Sequence, residues 1–200
     1  MSQKLVIRSE YSFSIAPAIA ILPLGTIDHQ VLYAIKEGLS KALIRDDISL
    51  IILEKASPPL KEAYNPHRQQ FHATKILTWV DQVARDLRVL RVLGVIDVDL
   101  YVPYLNFVFG EAKCPGRSAL ISLHRLRPEF YGEPPNASLF KERAVKEAVH
   151  EIGHTFGLTH CTNSNCVMFF SNNILDTDAK SPYFCASCEA RVHKLISWFL

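Results

Sequence analysis

The spacing of hydrophobic positions changes several times along the chain, and each change marks an element. A continuous apolar run, Ala18–Leu24, stops at Gly25 and predicts a strand. From His29 to Leu43 the apolar residues Val31, Leu32, Ile35, Leu39, Ala42 and Leu43 recur at helical spacing, with Asp28 just ahead of them. Residues 49–53 are a short isoleucine-rich run flanked by charge, which favours a buried strand. Pro58, Pro59 and Pro66 mark a loop over 56–70. A second helical pattern covers 74–91, with Ile76, Leu77, Val80, Val83, Ala84 and Leu87 on one side. Residues 92–98, with Gly94 inside, read as the next strand. Strands alternating with helices in this order predict parallel pairing with right-handed crossovers.

The connections then shorten. Residues 105–109 and 119–123 read as strands joined by 110–118, where Pro115-Gly116 signals a turn. So short a link favours antiparallel pairing and places one of the two at a sheet edge. After a turn-rich stretch, 127–135, a helix is predicted over 137–156, capped by Asn136 or Ser138 and ended by Gly157. Residues 158–182 have no regular period, and a last amphipathic helix covers 186–199.

Two hundred residues fit one domain, and 48% hydrophobic content supports a sizeable core. A formal charge of +2 gives no pull toward nucleic acid or an anionic membrane. Arg85, Arg88 and Arg91, spaced by three, read as one solvated helix face. No apolar run reaches the roughly 18–20 residues that span a bilayer. The apolar stretch 15–24 contains Pro17 and Pro23, follows Glu10 and has no basic flank or cleavage site of a signal peptide. The expected location is the cytoplasm, where structural disulfides are not expected.

The cysteines carry more information. Cys161, Cys166, Cys185 and Cys188 fall in one stretch as CTNSNC and CASC, which is metal-ligand spacing; Cys114 stands apart as a plain thiol. Four thiolates make a closed zinc site with no place for water. Its expected job is to pin the irregular stretch after the helix to the C-terminal helix. Redox chemistry at the CASC pair and unrelated reduced thiols are the alternatives.

The text His150–His160 reads HEIGHTFGLTH. His150 and His154 lie four residues apart on the predicted helix, so both rings reach one ion from one face. Gly157 lets the chain turn so that His160 returns as a third nitrogen ligand. Three protein ligands leave a fourth position for water, the pattern of a catalytic zinc. Glu151 points beside the ion, where it can act as general base. The alternatives for these residues are a pair of ordinary histidines with a chance glutamate, and a zinc that only braces the fold.

The motif HExxHxxGxxH, with Met168 in CVMFF and the HC-x4-C-x-M and CASC cysteines, resembles the archaemetzincins, a family of metzincin-type zinc metallopeptidases. The resemblance covers residues 150–188. It implies a zincin-like α/β (α+β) fold: a mixed twisted sheet with an antiparallel edge strand, two backing helices, an active-site helix and a small zinc-clipped C-terminal part. One compact domain is expected, divided at 157/158 into two subdomains. His150, His154 and His160 would hold catalytic zinc, Glu151 would be the base, Met168 would floor the site, and Cys161, Cys166, Cys185 and Cys188 would hold a structural zinc. The substrate would be a peptide or small protein aligned by the edge strand in an open cleft, and the protein a monomer.

Phe107 and Phe109 are candidates for the substrate pocket, and Tyr183 is a lesser candidate for stabilising an oxyanion. Two other functions compete: zinc-dependent hydrolysis of a non-peptide amide, and a non-enzymatic four-cysteine module that binds protein or nucleic acid. The second needs a basic surface near the cysteines, for which Lys180, Arg191 and Lys194 are a thin set.

Overall fold

The computed structural model describes residues 17–43, 48–87 and 89–198. Its centre is a five-stranded sheet of order β2-β1-β5-β8-β7. The strands are β1 (Ala18–Leu24), β2 (Ser49–Ile52), β5 (Arg91–Ile96), β8 (Ser118–Ser122) and β7 (Gly110–Ala112). The first four run parallel, and β7 pairs antiparallel with β8 at the edge. A small second sheet joins β3 (Tyr64–Asn65), β4 (Gln70–His72) and β6 (Leu100–Tyr101).

Alternate residues of the main sheet feed two cores. Ile19, Ile21, Leu93, Val95, Ala119 and Ile121 pack under α1 (His29–Leu43) and α4 (Ala137–Thr155). Ala20, Leu22, Val92 and Leu120 pack under α3 (Ala73–Asp86), beside the single-turn α2 (Leu60–Ala63). Both faces of β1, β5 and β8 are therefore covered, which is why these strands are apolar throughout. The two backing helices, α1 and α3, lie on opposite faces. Gly94 lets α3 come close: a Cβ there would meet Val80, Leu120 and Leu24 at 3.1–3.2 Å.

Several sequence expectations need correction. Residues 49–53 form not a buried strand but the sheet edge β2, alternately exposed and half-buried. The stretch 56–70 is not one loop, since α2 and β3 lie within it. The helix expected over 74–91 stops at Asp86, because Leu87 turns extended and Arg91 joins β1 through Ile19. Arg91 is thus no part of a solvated face. Its buried guanidinium packs over Phe156 at 4.2 Å and donates to Thr155 Oγ1, and burial pulls its pKa down to about 10. Arg88 and Phe199 lie outside the described residues.

Residues 105–109 are not a strand. The carbonyls of Leu105 and Asn106 accept from Arg68 and Gln70 side chains, so the apolar run is a held loop and the edge strand begins at Gly110. The stretch 158–182 contains α5 (Ile174–Ala179), set by a capping box between Asn173 and Asp176. The last helix, α6, is Ala186–Ile196.

Candidate metal centre and cleft

The nineteen-residue helix α4 carries His150, Glu151 and His154. The Asn136 side chain caps its start by accepting from the Leu139 amide at 3.0 Å. Buried Ala144, Ala148, Val149 and Ile152 seat it in the core with α1. Its end is set by Gly157, whose φ of +98° is the left-handed conformation glycine tolerates.

His150 and His154 project side by side, with their Nε2 atoms 3.1 Å apart. Each ring is oriented from behind. His150 Nδ1 donates to Val167 O and His154 Nδ1 to Leu158 O, both at 2.7 Å. These bonds fix the protons on Nδ1 and leave the Nε2 lone pairs facing one another. His160 comes in past Gly157, its ring 4.8 Å from that of His154 and backed by Phe170. One ligand atom from each ring falls in a cluster no wider than 4.8 Å. Burial pushes all three imidazoles below their ordinary pKa, most strongly His150. Neutral rings with converging lone pairs suit a cation: zinc bonds of about 2.0–2.1 Å in a tetrahedron put neighbouring nitrogens ~3.3 Å apart.

Glu151 is buried beside them. Burial, and then the charge of Glu147, raise its carboxyl well above the usual range. Strand β7 runs directly against it. A Cβ at Gly110 would stand 2.7 Å from Glu151 Cγ and Oε1 and from Leu120 O. Only glycine lets the edge strand come this close. Beneath α4, Met168 is fully buried, and its Sδ would lie 2.6 Å from a Cβ at Gly153.

The four cysteines gather in a second cluster, again within 4.8 Å. Cys161 Sγ lies 3.9 Å from Cys185 Sγ, and the Cys185 amide donates to Cys166 Sγ at 3.2 Å. Burial pushes the Cys166 and Cys188 thiols up, whereas the Cys188 backbone amide leads in pulling Cys185 down to about 7. The Cys161 amide donates to Met168 O at 2.9 Å, so this cluster and the histidine cluster share one strip of chain.

A cleft of about 490 Å³ opens over the histidines. Phe107, Phe109, Gly110 and Glu111 line one side, as the sequence suggested for the two phenylalanines. Burial raises the Glu111 carboxyl, which accepts from Thr74 Oγ1. Tyr183 is half exposed and absent from the cleft lining. Lys180 is no surface cation: it is buried in the cleft wall, 2.9 Å from Glu147 Oε1. Helical spacing could have found Glu147, one turn before Glu151 on the same face. Nothing in the local sequence marks Lys180. Cys114 also lines the cleft, its thiol directed at Leu158 O at 3.6 Å.

Among the described residues no helix is long and apolar enough to cross a membrane. The model of Peptidase family M54 matches residues 33–194. The archaemetzincin of Pyrococcus furiosus is 46% identical over 173 residues, covering 85% of this chain and 89% of that protein. That of Methanocaldococcus jannaschii is 48% identical over 170 residues, covering 85% and 89%. The crystal structure of the Methanopyrus kandleri archaemetzincin superposes with a TM-score of 0.77 at 36% identity, covering 96% of this chain and 99% of that one. A zinc-dependent peptidase from Methanocorpusculum labreanum gives 0.78 at 32% identity, covering 87% and 99%. The Archaeoglobus fulgidus archaemetzincin, complexed with malonate, gives 0.71 at 38% identity, covering 87% and 99%. A family match over most of the chain, close relatives along nearly their whole length and a shared fold lead to one conclusion: the chain belongs to peptidase family M54, the archaemetzincins, and is a zinc metallopeptidase.

Proposed function

We propose that His150, His154 and His160 hold the catalytic zinc and that Glu151 is the general base of peptide-bond hydrolysis. The observation that carries this reading is the pair of Nε2 atoms 3.1 Å apart, each ring fixed by a carbonyl behind it. A zinc ion there supplies Lewis acidity, acidifying water and polarising the scissile carbonyl. Glu151 takes the proton from the attacking water and returns it to the leaving nitrogen, and its burial keeps the transfer away from bulk solvent.

Strand β7 orients the substrate. Lys113 N bonds to Ser118 O and Ser122 N to Phe109 O, so the ladder pairs residues 109, 111 and 113 with β8. The backbone groups of Gly110 and Ala112 then face outward. An extended peptide adds there as a further antiparallel strand, its carbonyl beside Glu151. Main-chain recognition of this kind favours a peptide over another amide.

Cys161, Cys166, Cys185 and Cys188 hold a second, structural zinc in this reading, and Met168 floors the catalytic site. The described residues from 158 onward form the zinc-clipped subdomain of a single domain, since Val167, Met168, Phe184, Val192 and Ile196 share one core with α1 and α4. Reduced thiols at all five cysteines fit the cytoplasm.

The test is Glu151→Gln. Turnover of a mixed peptide library should fall by about 10²–10⁴. Two zinc ions should stay bound, and thermal stability should hold or rise, because a neutral amide replaces a carboxyl that burial disfavours. Equal turnover in the two proteins would refute the role of Glu151.

A further inference from the structure

Lys180 follows α5 in a polar stretch, yet its side chain is wholly buried and lines the cleft. An ammonium has three donors to satisfy. Glu147 Oε1 lies 2.9 Å away but off the line of a hydrogen bond, so Nζ has no aligned acceptor among the described residues. Glu147 Oε1 is also engaged by the Thr177 hydroxyl at 3.2 Å. Ser171, on the same cleft lining, carries a buried hydroxyl that likewise lacks an aligned partner.

The neighbouring cations behave differently. Arg143 makes two bonds of 2.7 Å to the Asp178 carboxylate. Lys146 donates to Asp178 O at 2.9 Å and pairs with Glu142 at 2.7 Å. Those two fasten α4 to the segment of α5. Were Lys180 a fastener of the same kind, its donors would be met in the same way. Buried polar groups are as a rule satisfied, so unmet donors on a cleft wall point to something that enters the cleft.

We propose that Lys180, with Ser171 of the same cleft lining, forms a subsite for a carboxylate of the peptide substrate. This rests on the peptidase reading above. Among the side chains that line the cleft Lys180 is the one lysine or arginine, set against Glu111, Glu147 and Glu151, so apart from the metal position an anion is best met at its ammonium. A carboxylate accepts two charge-assisted bonds, whereas a neutral amide isostere forfeits the charge. The carboxylate comes either from the substrate's C-terminus or from an aspartate or glutamate side chain.

Matched peptides separate the two sources: a free acid against its C-terminal amide, and glutamate against glutamine on either side of the scissile bond. The zinc-loaded wild type should favour the acid of one pair by about tenfold in kcat/KM. Lys180→Met should bring that ratio to about one, Lys180→Arg should keep most of it, and Ser171→Ala should narrow it less. A binding arm needs no turnover. In calorimetry on the Glu151→Gln holoprotein, the same acid should bind more tightly than its partner, and adding Lys180→Met should erase the difference. Absence of any acid preference in both arms, or a preference that survives Lys180→Met, overturns the proposal. If Lys180→Met does not fold, the wild-type preference and its narrowing by Ser171→Ala decide. If the zinc-loaded wild type cleaves no peptide, the peptidase reading fails while the binding arm still judges the subsite.

Discussion

The two ligand clusters are built by opposite means. Two histidines of the first sit on a nineteen-residue helix, and their rings are aimed by carbonyls of Val167 and Leu158. The cysteine cluster hangs mostly on irregular chain: Cys161 and Cys166 lie in loops, Cys185 immediately precedes α6 and only Cys188 is inside a helix. In the first, packing of α4 on the sheet places the ligands before any ion arrives. In the second, four thiols converge on irregular chain that the core holds mainly through Val167, Met168 and Phe184, so an ion would supply more of the geometry as well as the charge balance. Losing the ion should therefore cost the first site its chemistry and the second its structure.

Cys185→Ser tests that difference with the largest expected effect. One zinc should be lost, the stretch 161–188 should exchange amide hydrogens rapidly, and stability should fall by on the order of several kcal/mol. Turnover should fall too, because the Cys161 amide holds Met168 O and His160 adjoins Cys161. Cys114→Ser, outside both clusters, should keep two zinc ions. Two zinc ions and unchanged exchange in Cys185→Ser would mean that packing orders both sites.

Gly110→Ala tests the packed half. The new methyl would meet the Leu120 carbonyl and the Glu151 side chain, each at 2.7 Å. The carbonyl belongs to a central strand and cannot yield, so Glu151 or the edge strand must move. About 1–3 kcal/mol of stability should go, and turnover should drop by roughly tenfold or more with both zinc ions retained. Unchanged kinetics would show that the edge strand does not depend on close approach to Glu151.

The same contrast decides what the sequence made legible. Periodicity read β1 and α1 correctly to their ends, because β1 is buried on both faces and α1 buries one continuous apolar stripe. Spacing anticipated that His150 and His154 lie together, since two residues four apart on a helix share a face, and that the CTNSNC and CASC cysteines gather. What the sequence hid depends on contacts between distant segments. The run 105–109 has a strand's composition, but Arg68 and Gln70 claim its carbonyls from more than thirty residues away. Arg91 follows the helical spacing of its neighbours, but a strand carries it under Phe156. Lys180 and Gly110 have no local mark, because the reason for each lies on α4.

Asp81 gives the smallest effect and the sharpest test of whether side-chain anchoring matters where packing already places the site. It lies buried on α3 and ties that helix to the β7–β8 end of the sheet: Oδ2 accepts from Lys113 at 2.7 Å and from Arg85 at 2.9 Å, and Oδ1 accepts from Ser118 at 3.0 Å. Burial alone would raise its carboxyl, but these three bonds, Lys113 first, outweigh burial and hold it below the usual range. The stabilisation is therefore complete above the ordinary carboxylate value of about 4, and it vanishes as pH falls through the lowered folded value. Arg85 is largely in water and Lys113 partly so, which screens their share. Asp81→Asn should accordingly lose only about 1 kcal/mol at neutral pH. In melts taken from pH 7 down to about 2, the wild type and variant curves should converge at the acid end. Because apolar burial of Ile76, Leu77, Val80 and Ala84 fixes α3 independently, turnover should change little. A variant that lost most of its turnover while keeping its fold would show that the edge strand, and with it the placement of Glu151, is held by this polar anchor and not by the core.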